Sequence, residues 1–295
     1  MDFFLAELLG ALKLGSIYAL VAIGYSVVYS IMGLINFAHG ELLMIATYSL
    51  WGLMVLGLPF PLAALLAIVI TASFGILIER VAYRPLRGHG EETLIITSLA
   101  VSVFLQSICQ TIFGPNNRAL QVPAVFSKKF TVGGVNITVM NLVIFAVTAV
   151  LILGVSLVLK KTSLGMAMRA CADNSMAAAL MGIDRNKVIV FAFGMGSVLA
   201  ALAGMLYSGE YVSFSPTMGF MLGIKAFIAA VIGGLGSFGG AAVGGFILGF
   251  LEIFFAGYLP DKVGSYQTAF VFLILILVLL VRPNGIFGSA AGKRS

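Results

Sequence analysis

The sequence predicts an all-α integral membrane protein, a polytopic helical bundle of about 8–10 transmembrane segments that includes one helix broken by glycines. Composition is the first observation behind this prediction: 61% of the 295 residues are hydrophobic, only 9% are charged, and the mean hydropathy is +1.12. Because a soluble domain has about 25% charged residues, these charges are too few to cover a water-facing surface. The apolar runs are also too long for the alternating strands of about 10 residues found in membrane β-barrels.

The length of each apolar run indicates whether it can cross the membrane as a helix. A hydrocarbon core about 30 Å thick is crossed by about 20 helical residues, and the seventh of nine apolar runs has only ten residues. It is followed by the glycine-rich sequence from Gly233 to Gly240, which is unfavourable inside a helix. We therefore expect a broken helix there, within a single transmembrane domain that covers residues 1–295. The predicted segments are residues 5–31, 38–56, 61–78, 94–113, 142–159, 188–206, 223–232, 241–258 and 266–281.

Basic residues in the loops indicate the orientation of the bundle. Lys and Arg concentrate in cytoplasmic loops of membrane proteins, and nine segments place eleven of them on one face and four on the other. This predicts an external N-terminus and a cytoplasmic C-terminus, and it explains the net charge of +6 without a nucleic-acid partner. The eleven are Arg80, Arg84, Arg87, Lys160, Lys161, Arg169, Arg185, Lys187, Arg282, Lys293 and Arg294; the four are Arg118, Lys128, Lys129 and Lys262.

A stretch on the predicted cytoplasmic face, residues 163–184, is too polar and too short to span a membrane, yet it is rich in helix-forming residues. Asp173 or Asn174 can cap a short helix that runs through Met181, and Gly182 is the residue type that closes such a helix. Asp184 then caps the next span. The local pattern therefore predicts a short, separately capped helix between two spans.

Two interpretations of this helix remain open. An apolar face predicted along it would suit a helix that lies on lipid headgroups, or one that docks in a groove of a cytoplasmic partner. On another face, Arg169 and Asp173 are spaced for an i, i+4 ion pair. The predicted apolar face consists of Ala172, Met176, Leu180 and Ile183.

Polar residues from Asn36 to Glu41 separate two very apolar segments. His39 and Glu41 are metal-ligand types, but two potential ligands without a further nearby histidine do not predict a metal site. A turn explains the pattern better, since Asn36 is a natural cap and Gly40 supplies flexibility. The polar groups are then expected in an interface or a cavity.

Small residues continue at a spacing of four beyond the glycine-rich sequence. Gly236, Gly240 and Gly244 form one row, and Gly245 and Gly249 form a second pair. Such spacing lets helix backbones approach closely. Tight packing accounts for most of these glycines, and a moving interface is the functional alternative.

Ionisable residues occur at or near membrane depth, where they are functional candidates by default. Most are near the ends of predicted spans, where long side chains reach the interface, whereas Glu252 is well inside one. Because there is no ladder of Asp and Glu, a proton-coupled carrier is disfavoured. The sequence also has no phosphate loop, His/Cys metal cluster or nucleophile elbow, so we expect no enzyme and an external source of energy for any active transport. The five residues are Lys13, Glu41, Glu210, Lys225 and Glu252.

Four motifs, in order along the chain, resemble the branched-chain amino acid ABC transporter permeases, and in particular the shorter of the two permease subunits. The resemblance covers essentially the whole chain, and the combination is specific although each motif alone is weak. The motifs are Ile35-Asn-Phe-Ala-His-Gly-Glu-Leu42, residues 169–183, residues 230–240 and Val281-Arg-Pro-Asn-Gly-Ile-Phe-Gly288.

The resemblance implies a bacterial inner-membrane importer with a periplasmic N-terminus. A second permease would complete the pathway, two cytoplasmic ATPases would hold ATP and Mg²⁺, and a periplasmic binding protein would deliver leucine, isoleucine or valine; this chain itself would need no cofactor. It also favours the docking interpretation of residues 163–184. The coupling residues so implied are Arg169, Asp173, Asn174, Ala178, Gly182 and Ile183, and the candidates for pathway or gating are Asn36, His39, Glu41, Gly233, Gly234, Gly236, Ser237 and Gly239.

Two alternatives remain at this stage. Urea and short-chain amide permeases share these motifs, so the substrate is less certain than the family. An ion-coupled secondary carrier is a further alternative, and it would work alone with only an ion gradient.

Overall fold

A computed structural model describes residues 2–132, 135–260 and 266–288. Of the basic residues used to predict the orientation, Lys262, Lys293 and Arg294 lie outside this described part. Eleven α-helices are described within it, together with two small sheets of two strands each. The helices are α1 (Asp2–Met32), α2 (Glu41–Val55), α3 (Phe60–Ile78), α4 (Glu91–Phe113), α5 (Val139–Lys161), α6 (Ser163–Asp173), α7 (Ser175–Leu180), α8 (Arg185–Tyr211), α9 (Met218–Gly233), α10 (Phe238–Tyr258) and α11 (Gln267–Val281).

The predicted membrane class is confirmed by helix length. Among the described residues, six helices are long and apolar enough to cross a bilayer, namely α1, α3, α4, α5, α8 and α10. The helices α2, α9 and α11 are shorter, with 15, 16 and 15 residues. At 1.5 Å per residue they are each about 22–24 Å long, so they are shorter than a hydrocarbon core of about 30 Å.

Two short sheets mark one end of the bundle, which we call the loop end. Strand β1 (Arg118–Ala119) pairs with β4 (Ser213–Phe214), and β2 (Lys129–Val132) pairs with β3 (Val135–Thr138), both antiparallel. The second sheet lies within the loop between α4 and α5. The first sheet joins the loop before α5 to the loop between α8 and α9.

The opposite end carries most of the described basic residues, and we call it the basic end. Here Arg87 donates hydrogen bonds to Glu79, at the end of α3, and to Asn186, at the start of α8. A wide cleft between α3, α5 and α8 also has Arg80, Arg84 and Lys187 among its lining residues. The described residues that the sequence assigns to one face therefore meet at one end of the bundle.

Helix α1 is the central helix, and 89% of its most apolar stretch of 18 residues is buried inside the bundle. Its backbone packs directly on α10: a Cβ at Gly245 would overlap Ala19, and a Cβ at Gly249 would overlap Gly15. The spacing of small residues on α10 thus brings two helix backbones together, as the sequence predicts.

The glycine-rich sequence interrupts helical structure as predicted, at residues 234–237, but the helix before it is longer than the predicted segment. Helix α9 begins at Met218, five residues before the predicted segment at 223–232, and ends at Gly233; a turn then leads into α10. The glycines Gly219 and Gly223 favour this longer helix because both pack against the backbone of Gly40. The chain also leaves helical geometry before α2, where residues 33–40 contain only a short 3-10 turn, Phe37–His39.

The contact between α1 and α10 predicts that alanine substitutions at two glycines affect thermal stability differently. Gly249→Ala should lower the thermal stability of the purified protein, because overpacking a close contact typically costs about 1–3 kcal/mol. Gly154→Ala, on α5, is the matched control, since a Cβ there meets nothing within 4 Å. The measurement is the loss of the monodisperse chromatographic peak on heating in detergent, and equal behaviour of the two variants would contradict the packing argument.

Candidate coupling and translocation site

The predicted capped helix is present as α7. The Asn174 side-chain oxygen accepts from the backbone N–H groups of Met176 and Ala177, at 3.0 and 2.9 Å. At the other end Gly182 has φ +84°, and the Ile183 N–H donates to the carbonyl of Ala178 at 3.0 Å. This is the left-handed glycine closure that the sequence predicts.

The cap of the next span is also as predicted. Asp184 accepts from the N–H groups of Asn186 and Lys187 at the start of α8, at 2.9 and 3.3 Å. The short helix is therefore fixed independently at both ends. Asn174 itself has extended backbone angles, so α6 and α7 are separate helices.

That separation makes the predicted continuous apolar face wrong. Ala178 is buried and Ile183 is half-buried against the core, whereas Met176, Leu180 and Met181 are 78%, 84% and 83% exposed. The chain leaves helical geometry at Asn174 and again at Gly182, so Ala172 lies before α7, and Ile183 lies after it and packs against the core. The exposed apolar side of α7, which we call the α7 face, consists of Met176, Leu180 and Met181.

Arg169 does not take the partner that the sequence predicts. Instead of pairing with Asp173, its guanidinium donates to the backbone carbonyl of Leu159 in α5. Helices α5 and α6 approach closely there, since a Cβ at Gly165 would overlap the carbonyls of Val158 and Leu159. Arg169 thus ties α6 to the end of α5, where several carbonyls lack helical partners.

The glycine-rich turn is attached to two other elements. Gly234 and Gly236 have φ +112° and +83°, and the Gly236 N–H donates to Ser26 of α1 at 3.2 Å. Ser237 caps α10 through its hydroxyl, which accepts from the Gly240 N–H at 3.1 Å. Gly239 has no neighbour within 4 Å of an added Cβ.

The segment that follows α11 also bonds to this turn. The N–H groups of Ile286 and Phe287 donate to the carbonyls of Ile232 and Gly233, both at 2.9 Å. A Cβ at Gly234 would press on the backbone of Gly288. The fourth motif of the sequence is therefore packed on the third.

Two cavities at the basic end bring the predicted coupling and gating residues together. One of about 400 Å³ is lined by Arg169, Asp173 and Gly236, among others. Its neighbour of about 650 Å³ is lined by Asp173, Gly236 and Ser237. The end of α6 consequently faces the turn between α9 and α10 across a space that is not filled by side chains of this chain.

The segment before α2 forms a second, buried cluster. Asn36 does not cap the following turn with its side chain; its Oδ1 accepts from the Tyr83 hydroxyl at 2.6 Å. His39 is buried, with its ring centroid 4.7 Å from that of Tyr25, and it fills the space left by Gly24. The polar groups are thus in the interior, as the sequence predicts.

Glu41 is fully buried at the first residue of α2. Its Oε1 accepts from Ser102 Oγ and Gln106 Nε2 of α4, both at 2.8 Å, and the Phe37 N–H donates to Ser98 at 3.2 Å. The sequence analysis missed these three residues of α4. Their spacing of four, which puts them on one helix face, is the signal that could have found them.

Four of the five ionisable residues singled out in the sequence form pairs across helices. Lys13 of α1 lies 2.5 Å from Glu210 of α8, and Lys225 of α9 pairs with Glu252 of α10. Glu252 also accepts from the Tyr18 hydroxyl at 2.7 Å. These side chains are mostly buried. They pair with each other inside the bundle and do not extend to the membrane interface as predicted.

The two predicted pathway segments are attached to neighbouring turns of one helix. Both pack on α1, the segment before α2 near Gly24 and Tyr25, and the glycine-rich turn near Ser26 and Ser30. Within the part of the chain that the structure describes, no group of three or more His, Cys, Asp or Glu side chains could hold a metal ion. The site therefore consists of polar groups, small residues and cavities arranged along one central helix.

These features define a multi-pass helical membrane protein with a polar interior. The sequence profile of the family described as "Branched-chain amino acid transport system / permease component" matches residues 8–279. The chain belongs to this family.

Individual relatives are similar over nearly the whole length. The chain is 42% identical to the high-affinity branched-chain amino acid transport system permease protein BraD of Pseudomonas aeruginosa, covering 97% of this chain and 96% of that one. It is 40% identical to LivH of Escherichia coli, with the same coverage. A probable branched-chain amino acid transport permease of Methanocaldococcus jannaschii is 30% identical over 95% of this chain and 91% of its own length. No solved structure matches the chain.

The buried carboxylate of Glu41 predicts that two serines of α4 contribute differently to thermal stability. Ser102→Ala removes a donor to Glu41, and leaving a buried acceptor short of a partner costs about 1–3 kcal/mol. We expect a lower temperature of thermal unfolding in detergent. Ser107→Ala is the control, because the Ser107 hydroxyl is exposed and bonds only within its own helix, to Val103. Equal shifts for the two variants would show that the contact with Glu41 contributes nothing.

Proposed function

We propose that this chain is a membrane-spanning subunit of an ATP-driven importer of branched-chain amino acids in a bacterial inner membrane. The names of the relatives support the substrate class. The observation that carries the coupling role is the α7 face, because Met176, Leu180 and Met181 are more than three-quarters exposed on a helix that is capped at both ends.

The partners proposed are a second permease, two cytoplasmic ATPases and a periplasmic binding protein. ATP and Mg²⁺ would be held by the ATPases, and this chain would contribute no catalytic group. The α7 face suits a groove on an ATPase, since an amphipathic helix binds such a groove through its apolar side. Arg169, Asp173 and Asn174 are exposed around it and would form the polar rim.

The proposed orientation puts the basic end in the cytoplasm and the N-terminus in the periplasm. The described basic residues support it, because Arg80, Arg84, Lys160, Arg169 and Lys187 all line cavities at that end. Cytoplasmic loops carry such an excess of Lys and Arg.

The proposed mechanism is alternating access driven from the basic end. ATP binding draws the ATPases together, and α7 transmits the movement to α6 because Asn174 joins the two helices directly. The cavities lined by Asp173 and Gly236 give the end of α6 room to move toward the turn between α9 and α10. The shift in the equilibrium cannot exceed the difference in ATP-binding free energy between the two states.

Gly182 provides a test of coupling. Gly182→Val should lower the amount of leucine imported per ATP hydrolysed by about tenfold, because a β-branched residue at φ +84° strains the exit from α7 by about 1–3 kcal/mol. Gly182→Asn is the control, since Asn tolerates left-handed angles. Uptake and ATP hydrolysis are measured together in proteoliposomes. Unchanged transport with intact assembly in the Val variant would remove the coupling role.

The function itself is tested by reconstitution. A tagged copy should co-purify with a second permease and two nucleotide-binding subunits, and the complex should import leucine only when ATP and the binding protein are supplied. Urea is the comparison substrate, and we expect no ATP-dependent urea uptake. Uptake that is driven by an ion gradient with this chain alone would contradict the proposal and support a secondary carrier.

A further inference from the structure

A cavity of about 310 Å³ opens at the loop end between α8 and α9. Its volume is at the lower limit of the ~300–1,000 Å³ typical of small-molecule sites. The lining combines apolar side chains with tyrosines and a single charged residue, Lys225, among the described residues. The side chains that matter below are Tyr207, Tyr211, Met218, Met221, Leu222 and Lys225.

Lys225 lies below the mouth of this cavity. It is seven residues after Met218, the first residue of α9, which corresponds to a depth of about 10 Å along the helix. Its side chain is 19% exposed and pairs with Glu252, whose side chain is 9% exposed. An ammonium group has three donors, so the contact with Glu252 still leaves Lys225 able to donate to a further acceptor in the cavity.

The surroundings of this pair are polar on one side and apolar on the other. Tyr18 donates to Glu252 from α1, and Tyr207 and Tyr211 of α8 line the cavity beside Lys225. Met218, Met221 and Leu222 supply the apolar wall. Methionine is unbranched and flexible, so it can adapt to apolar groups of different shape.

The backbone beside the cavity is strained. Val212, between the lining residues Tyr211 and Ser213, has φ +53°. It is the one described residue other than glycine with a positive φ, and a β-branched side chain strongly disfavours that conformation. Strain of this kind concentrates at functional sites. It provides a second, independent reason to examine this end of α8.

We infer that this cavity is a binding subsite for the transported amino acid, with Lys225 binding the carboxylate and Met218, Met221 and Leu222 the apolar side chain. This inference rests on the proposed function. Glu252 holds Lys225 from outside the lining of the cavity, and the ligand's carboxylate accepts from a further donor of the same ammonium group. The pair remains neutral in sum with or without the ligand, so neither state leaves an uncompensated buried charge.

The chain contains a matched control for this pair. Lys13 and Glu210 form a second ion pair of similar exposure, 22% and 18%, and neither residue lines the cavity. Replacing both members of a pair removes the charges together and avoids stranding one of them. The comparison is therefore between Lys225→Gln/Glu252→Gln and Lys13→Gln/Glu210→Gln.

The experiment measures ligand protection of a cysteine placed in the cavity. Met221→Cys is suitable because Met221 is 64% exposed, while the natural Cys109 and Cys171 are buried and the parent chain gives the background. The rate of alkylation by a membrane-impermeant maleimide is measured on the reconstituted full complex without binding protein, with leucine or leucinamide present. Leucinamide keeps the ammonium group and the side chain but lacks the carboxylate.

Leucine should slow the alkylation, and leucinamide should do so only at much higher concentration. In the Lys225→Gln/Glu252→Gln background the half-protecting leucine concentration should rise by about tenfold or more, as expected for lost hydrogen bonds to charged groups. In the Lys13→Gln/Glu210→Gln background it should change by less than about twofold, since separate sites behave independently.

Three results would overturn the inference. They are a cysteine at position 221 that does not react in the assembled complex, equal protection by leucine and leucinamide, or equal effects of the two double variants. Leucine uptake by the same vesicles, with binding protein and ATP, tests the proposed function separately from the subsite. Absent uptake by the parent complex contradicts the proposed function, whereas normal uptake without protection contradicts only the subsite.

Discussion

The close backbone contact between α1 and α10 is the constraint on which the rest of the structure depends. Gly15 and Ala19 on one helix meet Gly249 and Gly245 on the other without intervening side chains. Lipid tails are as apolar as leucine, so helices in a bilayer gain little from hydrophobic burial against each other and associate through such packing and through polar contacts. Because α10 holds α1 in the centre, both ion pairs inside the bundle, His39 and the glycine-rich turn can each contact that one helix.

Successive turns of α1 carry different attachments. Lys13 and Tyr18 reach the ion pairs near the loop end, Gly24 receives the ring of His39, and Ser26 binds the glycine-rich turn at the basic end. The polar contacts are consequently in line along the molecule. A small displacement of α1 would alter all of them, and this arrangement provides a physical connection between the basic end and the loop end without a separate relay of side chains.

Much of this fold could be predicted from local rules, and the exceptions have physical causes. Caps at Asn174, Gly182 and Asp184 were predictable because a cap depends on a few neighbouring residues. The start of α9 was not, because the sequence shows where glycines are but not whether they permit a turn or a close contact; Gly219 and Gly223 serve the contact with Gly40 from inside the helix. Partners such as Glu41 with Ser102, or Lys225 with Glu252, depend on the three-dimensional arrangement of separate helices. The separation of Ile183 from the α7 face, by the left-handed turn at Gly182, likewise required the structure.

The bond between the segment after α11 and the end of α9 has a consequence for the order of assembly during synthesis. The carbonyls of Ile232 and Gly233 accept from Ile286 and Phe287, which the ribosome adds only after α10 and α11. Until then these two carbonyls have no such partners, and a buried backbone group without a partner costs about 1–3 kcal/mol. The turn between α9 and α10 therefore reaches its final form late, after α11 is in place, and a chain released before residue 287 would leave this turn incomplete.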